Sequence, residues 1–274
     1  MSEHDPEGGL HPGFDTTVAH PARVYDYWLG GKDNFTADKK AAEAVIAVRP
    51  SIIRDIRANR EFLGRAVRYL AAEAGVTQFL DIGSGLPSKG NVHEIAQEVN
   101  PAARVVYVDN DPIVLAHARA LLASSPEGKC AYIQADLRDP DYILNHEATR
   151  ETLDFTRPIA LILCAVLHFM PDEDRPAQIV KRLVDALPPG SYVASSHATA
   201  EYAEQSLLGA GKAYERGGMR GAIRDIQEFA HLVFTGLELV PPGVVVVSEW
   251  RPEPGHILPS AAEVGMNGAV ARKP

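Results

Sequence analysis

The sequence has few cysteines and no long apolar run. Cys130 and Cys164 are the two cysteines among 274 residues, and both lie in apolar, strand-like segments. So few cysteines argue against a disulfide-stapled secreted domain and predict a reduced, cytoplasmic protein. No apolar stretch reaches about 18 uninterrupted residues, so no membrane span is expected. The polar, acidic first residues do not resemble a signal peptide.

Basic runs and metal motifs are also missing. The chain has 36 acidic residues against 27 Lys and Arg, a net charge of −9, and its basic residues form no run. This balance argues against nucleic acid as the main partner. The histidines form no H-E-x-x-H motif and no Cys/His cluster, so no metal is expected. The length and the 46% hydrophobic content suit one large globular domain.

A glycine turn after an apolar strand is the most informative segment. The run Val76–Ile82 contains Asp81 and is followed by Gly83 and Gly85. A strand, a glycine turn and a helix start let the backbone approach a nucleotide-like ligand closely. Ser88 occupies the third glycine position of the dinucleotide fingerprint, which disfavours NAD. The Asp81 charge would oppose a pyrophosphate but suits an ammonium group, such as that of S-adenosylmethionine (SAM).

Further strands follow at regular spacing and also end near polar residues. The apolar runs Arg104–Asp109, Lys129–Ala135, Pro158–Val166 and Ser191–Ser196 alternate with helical patterns. This alternation predicts a doubly wound, mostly parallel sheet of the α/β class. Two more predicted strands, within 236–250, would form a closing hairpin and bring the sheet to seven strands. Ligands of such sheets bind beyond the carboxyl ends of the strands.

The strand-end acids have different predicted roles. Asp109 lies about two dozen residues beyond the glycines, a spacing at which an acid binds ribose hydroxyls. Asp111 precedes Pro112 and is predicted to cap a helix that runs through Leu122. Asp136 either accepts from the exocyclic amine of adenine or caps a turn, and both interpretations stay open. Cys164 and His197 also fall at or just beyond strand ends.

The chain divides into four predicted parts. Residues 1–20 form an arm, and 21–75 form a helical cap before the first strand. Residues 76–250 form the core, with a helical insertion at about 199–235, and 251–274 form an irregular tail. The helical patterns in the cap have apolar faces that include Val24, Trp28 and Ile56.

Taken together, these segments resemble the class I SAM-dependent methyltransferases. Within that class the chain is similar to an actinobacterial family that was formerly a domain of unknown function. The segments that carry this similarity are Val24–Phe35, Phe79–Pro87, Val106–Pro112, Ala165–Phe169 and Leu237–Gly243. The resemblance implies a Rossmann-like fold and SAM as the cofactor, and it leaves the methyl acceptor unidentified.

The resemblance also implies roles for individual residues. Asp81 would pair with the ammonium group of SAM, Asp109 would bind the ribose, and Cys164 would face the sulfonium. The cofactor-binding set is Asp81, Gly83, Ser84, Gly85, Asp109, Asn110, Asp136, Leu137, Cys164 and Ala165. An acceptor pocket or lid is expected from Tyr25, Tyr27, Lys32, Asp33 and Asn34. His168 follows the Cys164 strand and is the candidate general base, with a structural histidine as the alternative.

The leading functional hypothesis is methyl transfer from SAM to a small molecule. A SAM-binding regulatory module without catalysis is a second hypothesis, because the assignment of His168 as the general base is open. A nicotinamide-dependent oxidoreductase is a third, which Ser88 and Asp81 oppose. The oligomeric state is left open, with a homodimer as one alternative.

Overall fold

A computed structural model describes residues 15–114 and 124–274, and a mixed α/β sheet forms its centre. The strands are β1 (Gln78–Ile82), β2 (Arg104–Asp109), β3 (Lys129–Gln134), β4 (Ala160–Cys164), β5 (Tyr192–Ala198), β6 (Glu238–Leu239), β7 (Val245–Val246) and β8 (Met266–Arg272). The helices are α1 (Pro21–Trp28), α2 (Thr36–Val48), α3 (Ile52–Ala72), α4 (Val92–Val99), α5 (Pro140–Asn145), α6 (Glu147–Thr152), α7 (Pro176–Ala186), α8 (Glu204–Arg216) and α9 (Ile226–Phe234).

The strand order is β3-β2-β1-β4-β5-β8-β6, and β7 also pairs with β8. Strands β1 to β5 are parallel, with Leu80 of β1 in register with Val106 of β2 and Leu161 of β4. The order reverses between β1 and β4, so their carboxyl ends open a crevice at that point. The predicted α/β class with a mostly parallel sheet is confirmed.

The last strand corrects two predictions. Residues 251–274 were expected to be irregular, but Met266–Arg272 forms β8 beside β5, antiparallel to it. The predicted hairpin is also wrong, because β6 and β7 each pair with β8 and the sheet has eight strands. The small side chains of β8 lack the alternating or continuous apolar pattern from which the other strands were predicted. A Cβ on Gly268 would lie 3.0 Å from Phe62 Cζ, so this strand is kept small where α3 packs on it.

Helices cover both faces of the sheet. On one face α3 and α4 pack with the loop that carries Trp250, whose indole is fully buried and meets Phe62 edge to face. On the other face α5, α7 and α9 pack around Phe229 and Leu183. A sheet buried on both sides accounts for the nearly continuous apolar sequence of β4.

The cap contains more than the predicted segment 21–75. Val24 and Trp28 of α1 pack against α2, and Ala210 and Ala213 of α8 join the same apolar cluster. Trp28 Nε1 donates to the Ala42 carbonyl at 3.3 Å. The inserted helix α8 therefore belongs to the cap in space, although it follows β5 in the chain.

Several helix boundaries differ from the prediction. The helix expected over about 142–152 is divided at His146, whose non-helical backbone lets its ring accept a hydrogen bond from the Ala148 N–H. The helices expected over 199–213 and 221–234 begin later, at Glu204 and Ile226. Most of the predicted arm lies outside the described residues, as does the predicted helix from residue 115 to its end at Leu122.

Candidate functional site

The ten residues predicted to bind the cofactor line one cavity of about 350 Å³ at the carboxyl ends of β1, β2 and β4 and beyond the end of β3. The parallel register brings these strand ends to the same edge of the sheet. Helix α1 and its approach, residues 19–22 and Tyr25, form part of the opposite wall. We call this space the first cavity.

The glycine turn allows a close backbone approach at the floor of the first cavity. Gly83 has a φ of +76°, and a Cβ there would lie 2.4 Å from Val166 Cγ2. The Gly83 N–H donates to the Val108 carbonyl at 2.8 Å, which ties the turn to β2. A side chain at this position would therefore be strained and would also clash.

Asp109 joins the glycine turn to the loop after β2. Its Oδ2 accepts from the Gly85 N–H at 2.8 Å, and its Oδ1 accepts from the Asp111 N–H at 3.0 Å. Burial raises the pKa of Asp109, and these two hydrogen bonds act in the opposite direction. Each carboxylate oxygen can accept further bonds, so the side chain can still bind hydroxyl groups.

Asp111 connects the cap to the core. Its Oδ1 accepts from the Ile113 N–H at 3.0 Å, in the manner of a helix cap. Its Oδ2 lies 3.0 Å from Arg23 Nε and 3.2 Å from His20 Nδ1. These contacts hold the start of α1 over the first cavity.

Asp81 is a buried carboxylate next to the glycine turn. Burial raises its pKa to about 7, the Arg60 guanidinium lowers it, and Asp109 raises it further. Arg60 lines the first cavity and donates to the Gly90 carbonyl at 3.1 Å. Two buried carboxylates near one cation make this end of the cavity suited to a positively charged ligand group.

The opposite end of the cavity carries a network of charges. Arg138 Nη1 lies 3.1 Å from Asp136 Oδ2, and Arg138 Nη2 lies 2.7 Å from Asp174 Oδ2. Arg220 also pairs with Asp174, at 3.2 Å. Asn110 Nδ2 lies 3.4 Å from Asp136 Oδ2. Asp136 thus shares its carboxylate with Arg138, which the sequence did not indicate.

A hydrogen-bonded chain fixes the end of β4. The Ala165 N–H donates to Ser196 Oγ at 3.0 Å, and Ser196 Oγ donates to Asn59 Oδ1 at 2.5 Å. Asn59 Nδ2 donates to the Tyr25 hydroxyl, which donates to the Ile56 carbonyl. Ala165 has a φ of +54°, unusual for a residue with a Cβ. This chain links the cap to the strand end where the predicted Cys164 and Ala165 lie.

Four of the five residues predicted for a pocket or lid do not line the first cavity. Asp26 organises their turn, because its Oδ2 accepts from the Asp33 N–H at 3.0 Å and from Asn34 Nδ2 at 2.8 Å. A Cβ on Gly31 would lie 1.9 Å from Asp26 Oδ1. Tyr25 alone among the five lines the cavity, and Tyr27, Lys32, Asp33 and Asn34 belong to or neighbour this turn.

His168 lies beside a second cavity and does not line the first. Burial and the Arg224 guanidinium lower the pKa of His168 to about 4. The imidazole is therefore neutral near pH 7 and is a weak base, since protonating it there costs about 4 kcal/mol. The role of His168 as general base stays a prediction. Its position outside the lining of the first cavity and its lowered pKa do not favour that role.

Sequence reasoning missed several residues of the first cavity, including Asn59, Arg60 and Phe169. One signal was available, because Asn59 falls on the same helical face as the apolar Ile56 and Leu63. A polar residue on an apolar stripe indicates a buried partner or a ligand. Within 15–114 and 124–274, no three His, Cys, Asp or Glu side chains are grouped to hold a metal ion. None of the helices in these ranges has the length and apolar character to cross a membrane.

Comparison with known proteins identifies the family. A family model described as S-adenosyl methyltransferase matches residues 8–274. A DUF574 family protein from Streptomyces avermitilis is 50% identical, with a TM-score of 0.91 over 95% of this chain and 99% of that chain. A Thermobifida fusca YX structure, described as a candidate methyltransferase, is 42% identical, with a TM-score of 0.87 over 96% and 97%.

More distant structures share the fold. A SAM-dependent methyltransferase from Anabaena variabilis has 14% identity and a TM-score of 0.52, over 94% of this chain and 98% of that chain. Among curated proteins nothing matches. The family match over nearly the whole length, together with the crevice at the strand ends, shows that the chain belongs to the S-adenosyl methyltransferase family and is a SAM-dependent enzyme.

Proposed function

We propose that this methyltransferase binds SAM in the first cavity and transfers its methyl group to a small molecule. The observation that carries the proposal is the convergence of all ten predicted cofactor residues on one cavity of about 350 Å³. Small-molecule sites typically measure about 300–1,000 Å³.

The donor and acceptor groups of the first cavity fit SAM. The buried Asp81 would pair with the ammonium group, which restores the ionised form that burial disfavours. Asp109 would accept from the ribose hydroxyls, and Asp136 with Asn110 would lie at the adenine. The Asp81 carboxylate also opposes the nicotinamide alternative, because it would repel a pyrophosphate.

The protein's contribution to the reaction is alignment and exclusion of water. SAM supplies a methyl carbon that its positively charged sulfur has already activated, so little covalent chemistry is required of the side chains. The bonds from Ala165 to Ser196 hold the end of β4 in one position. Tyr25 of the cap and Phe169 after β4 border the cavity and would shield the reacting atoms from solvent.

The turn after α1 would position the cap. Asp26 ties Asp33 and Asn34 to α1, and Lys32 lies in the same turn. We assign this turn a supporting role, in which it sets the position of Tyr25 at the cavity wall. Tyr27 donates to Glu43 on α2, which adds a second tie within the cap.

The test is calorimetry with S-adenosylhomocysteine (SAH) on the wild type and on Asp109→Asn. The substitution keeps one oxygen as an acceptor but removes the charge, and we expect SAH to bind at least about tenfold more weakly, which corresponds to about 1.4 kcal/mol. Glu98→Gln is the matched control, since Glu98 is exposed and does not line the cavity. Failure of the wild type to bind SAH, or unchanged affinity in Asp109→Asn, contradicts the assignment.

A further inference from the structure

A second cavity of about 370 Å³ adjoins the first. Tyr25 and Phe169 line both cavities, so the same two side chains border the cofactor site and this space. The second cavity lies between the cap and the end of the sheet, with walls from α1, α8 and the segment after α8. A molecule in it would therefore lie next to the first cavity.

Aromatic rings form much of the wall of the second cavity. Trp28, Phe169 and Tyr214 line it together with Tyr25. Phe169 and Tyr214 are stacked, with centroids 5.7 Å apart and planes inclined by 18°. Flat rings with apolar neighbours such as Ile56 and Ile223 favour a flat, apolar ligand.

In the described part of the second cavity's wall, the charged side chains are either paired with an opposite charge or exposed to solvent. Asp55 is buried there, but Arg49 binds it through two hydrogen bonds of 2.6 and 3.0 Å. Lys212 and Glu215 are exposed to solvent. A charged ligand would therefore lose its hydration without gaining a free counter-charge in the interior.

His168 supplies one polar group to this wall. Its Nδ1 is buried and has no hydrogen-bond partner in the parts of the chain that the structure describes. The ring packs against Phe169 at 4.1 Å and against His197 at 5.7 Å, between centroids. The side chain as a whole is only part-buried and lines the cavity, and a ligand hydroxyl can hydrogen-bond to an imidazole in either tautomer of the ring.

We propose that the second cavity binds the methyl acceptor, and that this acceptor is an uncharged, flat aromatic molecule whose hydroxyl group bonds to His168. This assignment rests on the proposed function, because it takes the first cavity as the SAM site. His168 is then an acceptor-binding residue, and its variants change the affinity for the acceptor and leave the cofactor affinity unchanged.

The first test compares three probes on the SAH-loaded wild type by calorimetry. 2-Naphthol is uncharged and carries a hydroxyl, naphthalene lacks the hydroxyl, and 2-naphthoate carries a charge. We expect 2-naphthol to bind at least about tenfold more tightly than 2-naphthoate and measurably more tightly than naphthalene. Absence of saturable 2-naphthol binding, or equal or tighter binding of 2-naphthoate, overturns the proposal.

The second test locates the probe with three variants. Ile223→Trp fills the second cavity from a non-helical segment, and we expect it to weaken 2-naphthol binding at least tenfold while SAH affinity stays within about twofold. His168→Phe should abolish the preference for 2-naphthol over naphthalene. His231→Phe, at an exposed histidine on α9, should preserve that preference.

The outcomes separate the two proposals. If SAH does not bind the wild type, the cofactor assignment fails, whatever 2-naphthol does. If SAH binds but Ile223→Trp leaves 2-naphthol affinity unchanged, the cofactor assignment stands and the acceptor pocket is wrong. If His168→Phe retains the full preference for 2-naphthol, the role of His168 is wrong. Thermal melting of each variant shows whether it is folded.

Discussion

Replacing Asp81 with asparagine should make the ligand-free protein more stable and less able to bind its cofactor. The carboxyl has an ordinary pKa of 3.8 and a pKa of about 7 in the fold, because burial disfavours its charge. The folded protein therefore retains a proton that the unfolded chain has lost between these two values. Stability must then fall as the pH rises from about 4 to 7 and change little above that.

The size of this effect follows from the two pKa values. At about 1.4 kcal/mol for each unit between them, the buried carboxyl lowers the free energy of unfolding by about 2 kcal/mol at pH 5 and about 4 kcal/mol at pH 8. Asn has the same shape and cannot ionise. The gain in stability of Asp81→Asn over the wild type should therefore increase by about 3 kcal/mol between these two pH values, because two pH units separate pH 5 from the folded pKa.

Urea unfolding at pH 5 and pH 8, followed by tryptophan fluorescence, measures this difference. Glu98→Gln is the control, and an exposed substitution of this kind should change the free energy of unfolding by less than about 0.5 kcal/mol. The same samples should show SAH binding at least about tenfold weaker in Asp81→Asn. A variant that is less stable than the wild type at pH 8, or a gain that does not grow with pH, would refute the reasoning.

Three further predictions concern other parts of the cap and the first cavity. Gly83→Ala should lower stability by about 1–3 kcal/mol, because its Cβ meets Val166 at a left-handed φ; Val166→Ala should recover part of the loss in thermal melts. Arg49→Met should cost about 3–5 kcal/mol in urea unfolding, since it leaves Asp55 buried without its cation, and an unchanged midpoint would contradict this. In wild-type calorimetry, SAH affinity should increase from pH 6 to pH 8 as Asp81 ionises, and a decrease over this range would exclude Asp81 as the partner of the ammonium group.

The first cavity is the part of this protein that local sequence patterns determined. Asp81, Gly83 and Asp109 could be placed because each lies at or just beyond the end of an apolar strand. Parallel strands end at the same edge of a sheet, so the order of the segments was enough to bring these residues together. No long-range side-chain contact had to be known for this prediction.

Features that depend on contacts between distant segments could not be predicted from the sequence. Strand β8 was missed because Gly268 and its small neighbours are set by packing against α3, which lies some 200 residues earlier in the chain. Helix α8 belongs to the cap for a similar reason, since its apolar residues pack on α2. The turn with Lys32 and Asp33 was predicted to form a pocket or lid, and its hydrogen bonds to Asp26 could not be predicted from the sequence.

The chemistry of individual groups was likewise decided by the tertiary structure. The sequence placed Asp81 near a strand end, but its pKa depends on burial and on Arg60, which helix α3 supplies. It placed His168 after β4, whereas packing turns that imidazole to the second cavity. Local sequence patterns thus determined which strand ends meet, because the geometry of a strand is the same wherever it occurs in the chain. The solvent exposure and the hydrogen-bonding partners of each side chain at those strand ends were decided only by the tertiary structure.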